Sequence, residues 1–133
     1  MTKYFIIPHY RLDTETGLGE LLEYASYKTA VKGRRIIQKY FTLDYDGTLV
    51  VRSGYQWDFG SGPAIDTPVM VAASCAHDAL YQAIREGFLP KDARKEADVT
   101  FREILKQGGV SWIRRTYCYL AVRLVGWRFV QAE

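Results

Sequence analysis

The residues Phe41-Thr42-Leu43-Asp44-Tyr45-Asp46-Gly47-Thr48-Leu49-Val50-Val51 place an Asp-Gly pair between two runs of β-branched and aromatic side chains. This combination is a strong short-range signal for a β-hairpin, because glycine readily adopts the positive φ that a tight turn needs. We therefore predict a hairpin between strands Arg35–Leu43 and Thr48–Arg52.

Two further runs before this hairpin are also rich in β-branched and aromatic residues, and they predict strands at Tyr4–Ile7 and Leu22–Lys28. Residues 28–39 carry five basic side chains and no acid, which would suit a rim that binds phosphate groups. Basic side chains are also common on the solvent side of edge strands, where they prevent pairing with other chains. The second interpretation is favoured.

The pattern becomes helical after Ile65. Thr67 is a suitable N-cap and Pro68 suits the first helical position, so a first helix is predicted from there to about Glu86. A second helix is predicted from near Asp92 to Gly108-Gly109.

A third helix is predicted after Ser111 as N-cap, and it ends at Gly126. It carries one apolar stripe, and we expect this stripe to pack inward while the arginines of the helix other than Arg123 face solvent. The stripe consists of Ile113, Tyr117, Leu120 and Leu124.

Strands followed by helices indicate an α+β architecture in which three helices pack against a small antiparallel sheet. The 133 residues suffice for a single domain. Within it, about residues 4–56 are mostly β, residues 57–66 form a loop rich in glycine and acids, and residues 67–126 form the helices.

The composition excludes several classes of protein. Hydrophobic residues make up 48% and charged residues 25%, as in a soluble globular domain and unlike a disordered chain. The 18 basic residues exceed the 15 acidic ones only slightly, which argues against a dedicated nucleic-acid binder. We expect no signal peptide and no transmembrane segment, because no apolar run is long enough for either.

Two cysteines, Cys75 and Cys118, are too few for a disulfide framework. Both lie in segments with the pattern of a helical core. We expect two buried, reduced thiols, with a single bridge as the alternative.

The loop between the two halves reads Gly54-Tyr55-Gln56-Trp57-Asp58-Phe59-Gly60-Ser61-Gly62-Pro63-Ala64-Ile65-Asp66. Such a segment can turn several backbone carbonyls or amides toward a bound ion. It lacks the lysine of a P-loop and the glycine spacing of a dinucleotide-binding turn, so no nucleotide cofactor is expected.

Titratable residues of the first two helices form a candidate site. His77 and Tyr81 are four residues apart and share a helical face, whereas Asp78 points about 100° away. Asp98 lies on or beside the apolar face of the second helix, where a carboxylate needs partners. His77, Tyr81, Arg94 or Arg123 could supply them. The cluster is either a structural network or a base with its orienting acid and a cation ligand.

Four motifs together resemble a family of small uncharacterised bacteriophage and prophage proteins. The resemblance spans about residues 48–126 and implies a phage or prophage source, in the cytoplasm of the bacterial host or in the virion. The motifs are the loop Gly54–Pro63 with Asp58, Ser61 and Pro63, the helix Ala76–Tyr81, the helix Arg94–Phe101, and the ending Tyr119–Gly126 with Arg123.

The order of glycine-rich loop, His-Asp-x-x-Tyr helix and Asp on the next helix also resembles the secreted phospholipase A2 family, especially its small prokaryotic members. This resemblance implies that His77 takes a proton from water, that Asp98 orients its ring, and that Tyr81 hydrogen-bonds Asp98. It further implies that Asp78 binds Ca²⁺ with backbone carbonyls of loop residues Tyr55, Gly60 and Gly62. Asp58 belongs to the motif of the phage family, and it could either add a carboxylate to such a site or cap the turn through its own backbone.

Two functional hypotheses follow. The first is a metal-assisted hydrolase that acts on a lipid or another ester. The second is a non-catalytic phage accessory or assembly protein that binds another phage or host protein, with the His, Asp and Tyr cluster as architecture.

Overall fold

The structure, a computed structural model, describes residues 8–58 and 67–131. In these residues, seven short strands in two antiparallel sheets precede three α-helices. The α+β class and the order of strands before helices are confirmed.

The larger sheet has the strand order β3-β6-β5-β4, and its members are β3 (Ala25–Lys28), β4 (Ile36–Ile37), β5 (Phe41–Leu43) and β6 (Thr48–Val51). The predicted hairpin joins β5 and β6. The amide of Asp44 donates to the carbonyl of Thr48 at 2.9 Å, and Gly47 turns the chain with a φ of 91°.

The smaller sheet has the strand order β1-β2-β7, with β1 (Tyr10–Leu12), β2 (Leu18–Leu21) and β7 (Gln56–Asp58). None of these strands was predicted. Trp57 and Asp58, which were assigned to the loop, pair with Gly19 and Leu18. The assignment of these two residues to the loop is therefore wrong.

Two predicted strand boundaries are wrong. The strand predicted at Leu22–Lys28 begins only at Ala25. The strand predicted at Arg35–Leu43 is two strands, because the amide of Tyr40 bonds the side chain of Gln38 at 2.7 Å and bends the chain there. The strand predicted at Tyr4–Ile7 lies outside the described residues.

The three helices are α1 (Pro68–Arg85), α2 (Arg94–Gln107) and α3 (Trp112–Val125). Helices α1 and α3 begin where the capping signals place them, whereas α2 has no side-chain cap and begins two residues after the predicted Asp92. The Thr67 hydroxyl accepts from the amide of Met70 at 3.2 Å, and the Ser111 hydroxyl accepts from the amide of Arg114 at 3.3 Å. Short 3-10 turns lie at Lys91–Ala93 and Gly126–Val130. No helix of the described chain is long and apolar enough to cross a membrane.

Helix α1 is the centre of the core. It buries side chains on most of its surface and contacts both α2 and β6. The indole of Trp57 donates to the Ser74 hydroxyl at 3.0 Å, which joins the small sheet to α1. The hydroxyl of Thr100 on α2 accepts from the amide of Ala30 at 3.0 Å, which joins α2 to the β half.

The expectation for α3 is wrong. Its apolar stripe faces outward, with Ile113 76% and Leu124 73% exposed, and Cys118 is the buried residue of this helix. Arg123 reaches Asp98, as the need of that carboxylate for partners indicated. The periodicity identified the apolar side of the helix, but it carried no information about whether another element covers that side.

Cys75 and Cys118 are both buried free thiols, as expected. Burial raises the pKa of Cys75 to about 12, so this sulfur stays protonated at neutral pH.

Gly47 provides a test of the central hairpin. Gly47 and Gly33 both have positive φ, but a Cβ at Gly47 would overlap the carbonyl oxygen of Thr29, whereas a Cβ at Gly33 would meet no atom within 4 Å. We expect Gly33→Ala to lower the free energy of unfolding by about 1 kcal/mol. Gly47→Ala should cost at least about 1 kcal/mol more through steric overlap. Urea denaturation of the two variants measures the difference, and equal losses would contradict the role of the close approach.

Candidate functional site

The site is built around the carboxylate of Asp98 on α2, which is fully buried. Its Oδ1 accepts from His77 Nε2 at 2.7 Å and from the Tyr81 hydroxyl at 2.5 Å. Its Oδ2 accepts from Arg123 Nη1 at 2.9 Å and from Arg94 Nη1 at 3.4 Å. An ionised carboxylate has about four acceptor positions, so these donors from three helices use all of them.

The helices place these groups by simple spacing. His77 and Tyr81 lie four residues apart on α1 and present their polar atoms to α2. Arg94 precedes Asp98 by one turn of α2, and Arg123 comes from the last turn of α3. The four candidate partners named from the sequence therefore all contact Asp98.

The charge of Asp98 is held by its surroundings. Burial acts to raise the pKa of Asp98, but hydrogen bonds from His77, Tyr81 and Arg123 outweigh it, so the pKa lies below its usual value. Burial and the bond to Asp98 raise the pKa of Tyr81, which keeps the phenol a donor. The site therefore holds an ionised carboxylate at neutral pH.

The negative charge of Asp98 determines which ring nitrogen of His77 carries the proton. Because an ionised carboxylate only accepts hydrogen bonds, Nε2 must carry a proton, and in the neutral ring Nδ1 then has the free lone pair. No described residue forms a hydrogen bond with Nδ1, and the His77 side chain is 11% exposed. Phe101 and Tyr81 pack against the ring, with centroid distances of 5.1 Å and 4.0 Å. The ring is thus held in one orientation.

Arg94 ties the same cluster to the end of α3. Its guanidinium donates to the carbonyl of Val122 at 3.0 Å and to that of Arg123 at 3.2 Å. The Val122 carbonyl also accepts from the amide of Gly126, and carbonyls at the end of a helix carry its negative end charge. Arg94 thus both balances Asp98 and caps α3.

Gly126 is a part of the site that sequence reasoning did not identify beyond its role in ending α3. A Cβ at this position would overlap the Tyr81 hydroxyl and crowd Arg94. Its φ is −63°, so the glycine is required by close packing and not by backbone conformation. Its place one residue after the helix gave no signal of this contact.

Asp78 lies on a different side of α1 from the Asp98 cluster. The pKa of the buried Tyr55 phenol is raised first by burial and then by the negative charge of Asp78, and the charge of Asp78 acts on Cys75 in the same direction. The charge of Asp78 therefore acts on Tyr55, the residue before β7, and not on the Asp98 cluster. The Tyr55 carbonyl accepts from the amide of Leu21 at 2.9 Å, so one of its lone pairs serves the sheet.

The other candidate metal ligands are Asp58, Gly60 and Gly62. Asp58 ends β7. Gly60, Ser61, Gly62 and Pro63 lie outside the described residues. In residues 8–58 and 67–131, no three His, Cys, Asp or Glu side chains gather closely enough to hold a metal ion.

Comparison with known proteins gives one family. Residues 35–122 match the family described as "Protein of unknown function (DUF1353)". The chain belongs to this family. Searches of curated proteins and of solved structures found no match to the chain.

The part of the chain that matches the DUF1353 family contains most of the cluster. His77, Asp78, Tyr81, Arg94 and Asp98 lie inside it. Arg123 and Gly126, which close the cluster from α3, lie beyond the matched residues.

We expect Asp98→Asn to destabilise the protein by about 3 kcal/mol near neutral pH, because it leaves two guanidinium groups without their buried counter-charge. The pKa of Asp98 is lowered on folding, so its contribution is present above the unfolded pKa of about 3.9 and is lost as the pH falls through the folded pKa. Denaturation of both proteins between neutral and acid pH should show the difference shrinking at low pH. Asp92→Asn, on an exposed turn, is the control and should have little effect. A pH-independent difference would contradict the role of the charge.

The contact between Gly126 and Tyr81 is testable by a double-mutant cycle. We expect Gly126→Ala to cost about 1–3 kcal/mol through overpacking. Tyr81→Phe removes the overlapping oxygen, so the same alanine should cost at least about 1 kcal/mol less in that background. Additive losses in urea denaturation would show that the two residues do not meet.

Proposed function

We propose that the protein is a hydrolase in which His77 activates water for attack on an ester. The observation that carries this proposal is the bond between His77 Nε2 and the buried, ionised Asp98 at 2.7 Å. That bond fixes the ring and leaves Nδ1 as the basic nitrogen, an arrangement that general-base catalysis requires. The resemblance of the His-Asp-x-x-Tyr helix and the following Asp to phospholipase A2 supports the same chemistry.

The proposed reaction needs no covalent intermediate. His77 Nδ1 takes a proton from water as the water oxygen bonds to the ester carbonyl carbon. The tetrahedral intermediate then expels the alcohol oxygen, which receives the proton from His77, and the products are an acid and an alcohol. Asp98 acts as a positioning residue, because its charge keeps the proton of the neutral ring on Nε2 and favours the imidazolium during the reaction.

The proposed cofactor is Ca²⁺, held by Asp78 with Asp58 and loop carbonyls. Such a cation would polarise the ester carbonyl and stabilise the negative oxygen of the intermediate. Support comes from the place of Asp78 beside His77 in sequence and from its half-buried position on α1.

The likeness of residues 48–126 to phage and prophage proteins supports a phage or prophage source, in host cytoplasm or virion.

A second candidate function is a non-catalytic phage accessory or assembly protein. The observation that favours it is that Asp98 already serves a structural purpose, since all its acceptor positions are used by donors from α1, α2 and α3. In this proposal the cluster joins the helices, and another phage or host protein is the partner.

We expect His77→Gln to reduce hydrolysis of a phospholipid or a p-nitrophenyl ester by roughly 10²-fold or more, because the general base is removed. His9→Gln is the matched control, since these are the 2 histidines of the chain and His9 has a side chain that is 69% exposed. Thermal unfolding of each variant establishes that it is folded. Activity that survives in folded His77→Gln, or no ester hydrolysis by the parent protein, would favour the non-catalytic function.

Calcium binding is tested by thermal unfolding after EDTA treatment. At a Ca²⁺ concentration one hundred times the Kd, we expect a gain of about 2.7 kcal/mol in unfolding free energy, and Asp78→Asn should abolish it. Asp92→Asn, which changes an exposed carboxylate elsewhere, should retain the gain. A gain of equal size in Asp78→Asn, or none in the parent, would contradict the proposed site; Mg²⁺, Mn²⁺ and Zn²⁺ titrations test the choice of metal.

A further inference from the structure

A cleft of about 490 Å³ lies between the connection from β3 to β4 and the start of α2, and we call it the α2 cleft. Three buried apolar side chains contribute to its lining, Val31 from the first connection and Leu89 and Ala93 from the segment that leads into α2. Small-molecule sites in proteins have volumes of roughly 300–1,000 Å³ and combine apolar walls with a few polar groups. The α2 cleft is therefore large enough for a small organic ligand, and neither His77 nor Asp98 lines it.

Hydrogen bonds hold both walls of the α2 cleft. On one wall, the amide of Ala30 donates to the Thr100 hydroxyl of α2 at 3.0 Å, which ties the connection after β3 to the helix. On the other wall, the amide of Leu89 donates to the carbonyl of Ala83 at 3.2 Å, which ties the segment before α2 to the end of α1. The backbone on both sides is thus fixed before a ligand binds, and this reduces the ordering cost of binding.

The α2 cleft carries charges of both signs. Its lining includes three cationic side chains, those of Lys32, Arg34 and Lys95, and two carboxylates, those of Asp92 and Glu96. None of these five side chains forms an ion pair or a side-chain hydrogen bond with another residue in the part of the chain that the structure describes. Their hydrogen-bonding capacity is therefore open to a ligand.

The basic residues of the stretch 28–39 are accordingly of two kinds. Lys28, on the edge strand β3, pairs with Asp46 at 3.0 Å, as expected for a basic side chain at the edge of a sheet. Lys32 and Arg34 lie in the connection after β3 and line the α2 cleft without such a pair among the described residues. These two cations fit the other interpretation of the basic stretch, in which it binds phosphate groups.

The presence of both signs of charge selects the chemistry of the ligand. A phosphate group carries a charge of about −1.5 to −2 at neutral pH and accepts hydrogen bonds from Lys and Arg. A bare anion would use these cations alone and would be repelled by the two carboxylates of the cleft. Hydroxyl groups, in contrast, donate hydrogen bonds to carboxylates. A ligand that has both phosphate and hydroxyl groups satisfies the whole polar lining.

We propose that the α2 cleft binds a small phosphorylated sugar. Its phosphate group contacts Lys32, Arg34 and Lys95. Its hydroxyl groups donate to Asp92 and Glu96, and its carbon skeleton lies against the apolar lining. This binding is independent of the proposed hydrolysis, because no residue of the Asp98 cluster lines the cleft.

Isothermal titration calorimetry with glucose 6-phosphate tests the proposal at about 0.15 M salt, where attraction between distant exposed charges is screened. We expect the parent protein to bind glucose 6-phosphate and not to bind glucose. Inorganic phosphate should bind about tenfold more weakly, because it reaches neither the carboxylates nor the apolar lining. No binding of glucose 6-phosphate, or equal binding of either comparison ligand, would overturn the proposal. Tighter binding of glutamine would do so too, since a zwitterionic amino acid also carries both polar functions.

Two matched pairs of variants locate the site. Arg34→Gln and Arg35→Gln make the same change at neighbouring exposed arginines, of which Arg34 lines the cleft and Arg35 does not. Lys95→Gln and Lys106→Gln do the same for two exposed lysines of α2. We expect the first variant of each pair to weaken binding of glucose 6-phosphate about tenfold and the second to leave it within about twofold. Equal weakening within either pair, in variants that thermal unfolding shows to be folded, would assign the binding to overall charge and overturn the proposal.

Discussion

The arrangement of the helices depends on one buried carboxylate. Asp98 carries its charge in the interior, where an unpaired charge would cost several kcal/mol. Donors from α1 and α3 and one from α2 itself offset that cost only when all three helices are in place. This requirement is especially important for α3, because its apolar stripe faces outward and contributes little to the core. Hydrogen bonds and ion pairs of Arg123 and Arg94 therefore hold α3 in place, whereas apolar packing holds α1.

Sequence signals predicted those elements whose cause is local. The hairpin at Asp46-Gly47 and the helix starts at Thr67 and Ser111 depend on turn and capping chemistry within a few residues, and all three lie where expected. Strands β2 and β7 depend on pairing between residues such as Glu20 and Gln56, which are distant in the chain. Short strands of this kind have no periodicity long enough to detect, so the smaller sheet was missed.

The candidate site was predictable to a similar extent. Helical spacing placed His77 and Tyr81 on one face, and the need of a buried acid for partners pointed to Arg94 and Arg123. Periodicity could not show that both arginines bind the same carboxylate, since this depends on the crossing of α2 and α3. Nor could it show the contact of Gly126 with Tyr81, because a glycine after a helix is already accounted for as a stop signal.

The two carboxylate oxygens of Asp98 have different partners and different roles. Oδ2 receives the arginines and joins α2 to α3, whereas Oδ1 receives Tyr81 and His77 and orients the imidazole. Both arginines favour the ionised carboxylate, and an ionised carboxylate requires the proton of a neutral His77 on Nε2. The bonds that stabilise the fold therefore also determine the tautomer that a general base would need. A structural role for Asp98 and a catalytic role for His77 are for this reason compatible in one cluster. The two candidate functions differ only in whether His77 Nδ1 accepts a proton from water.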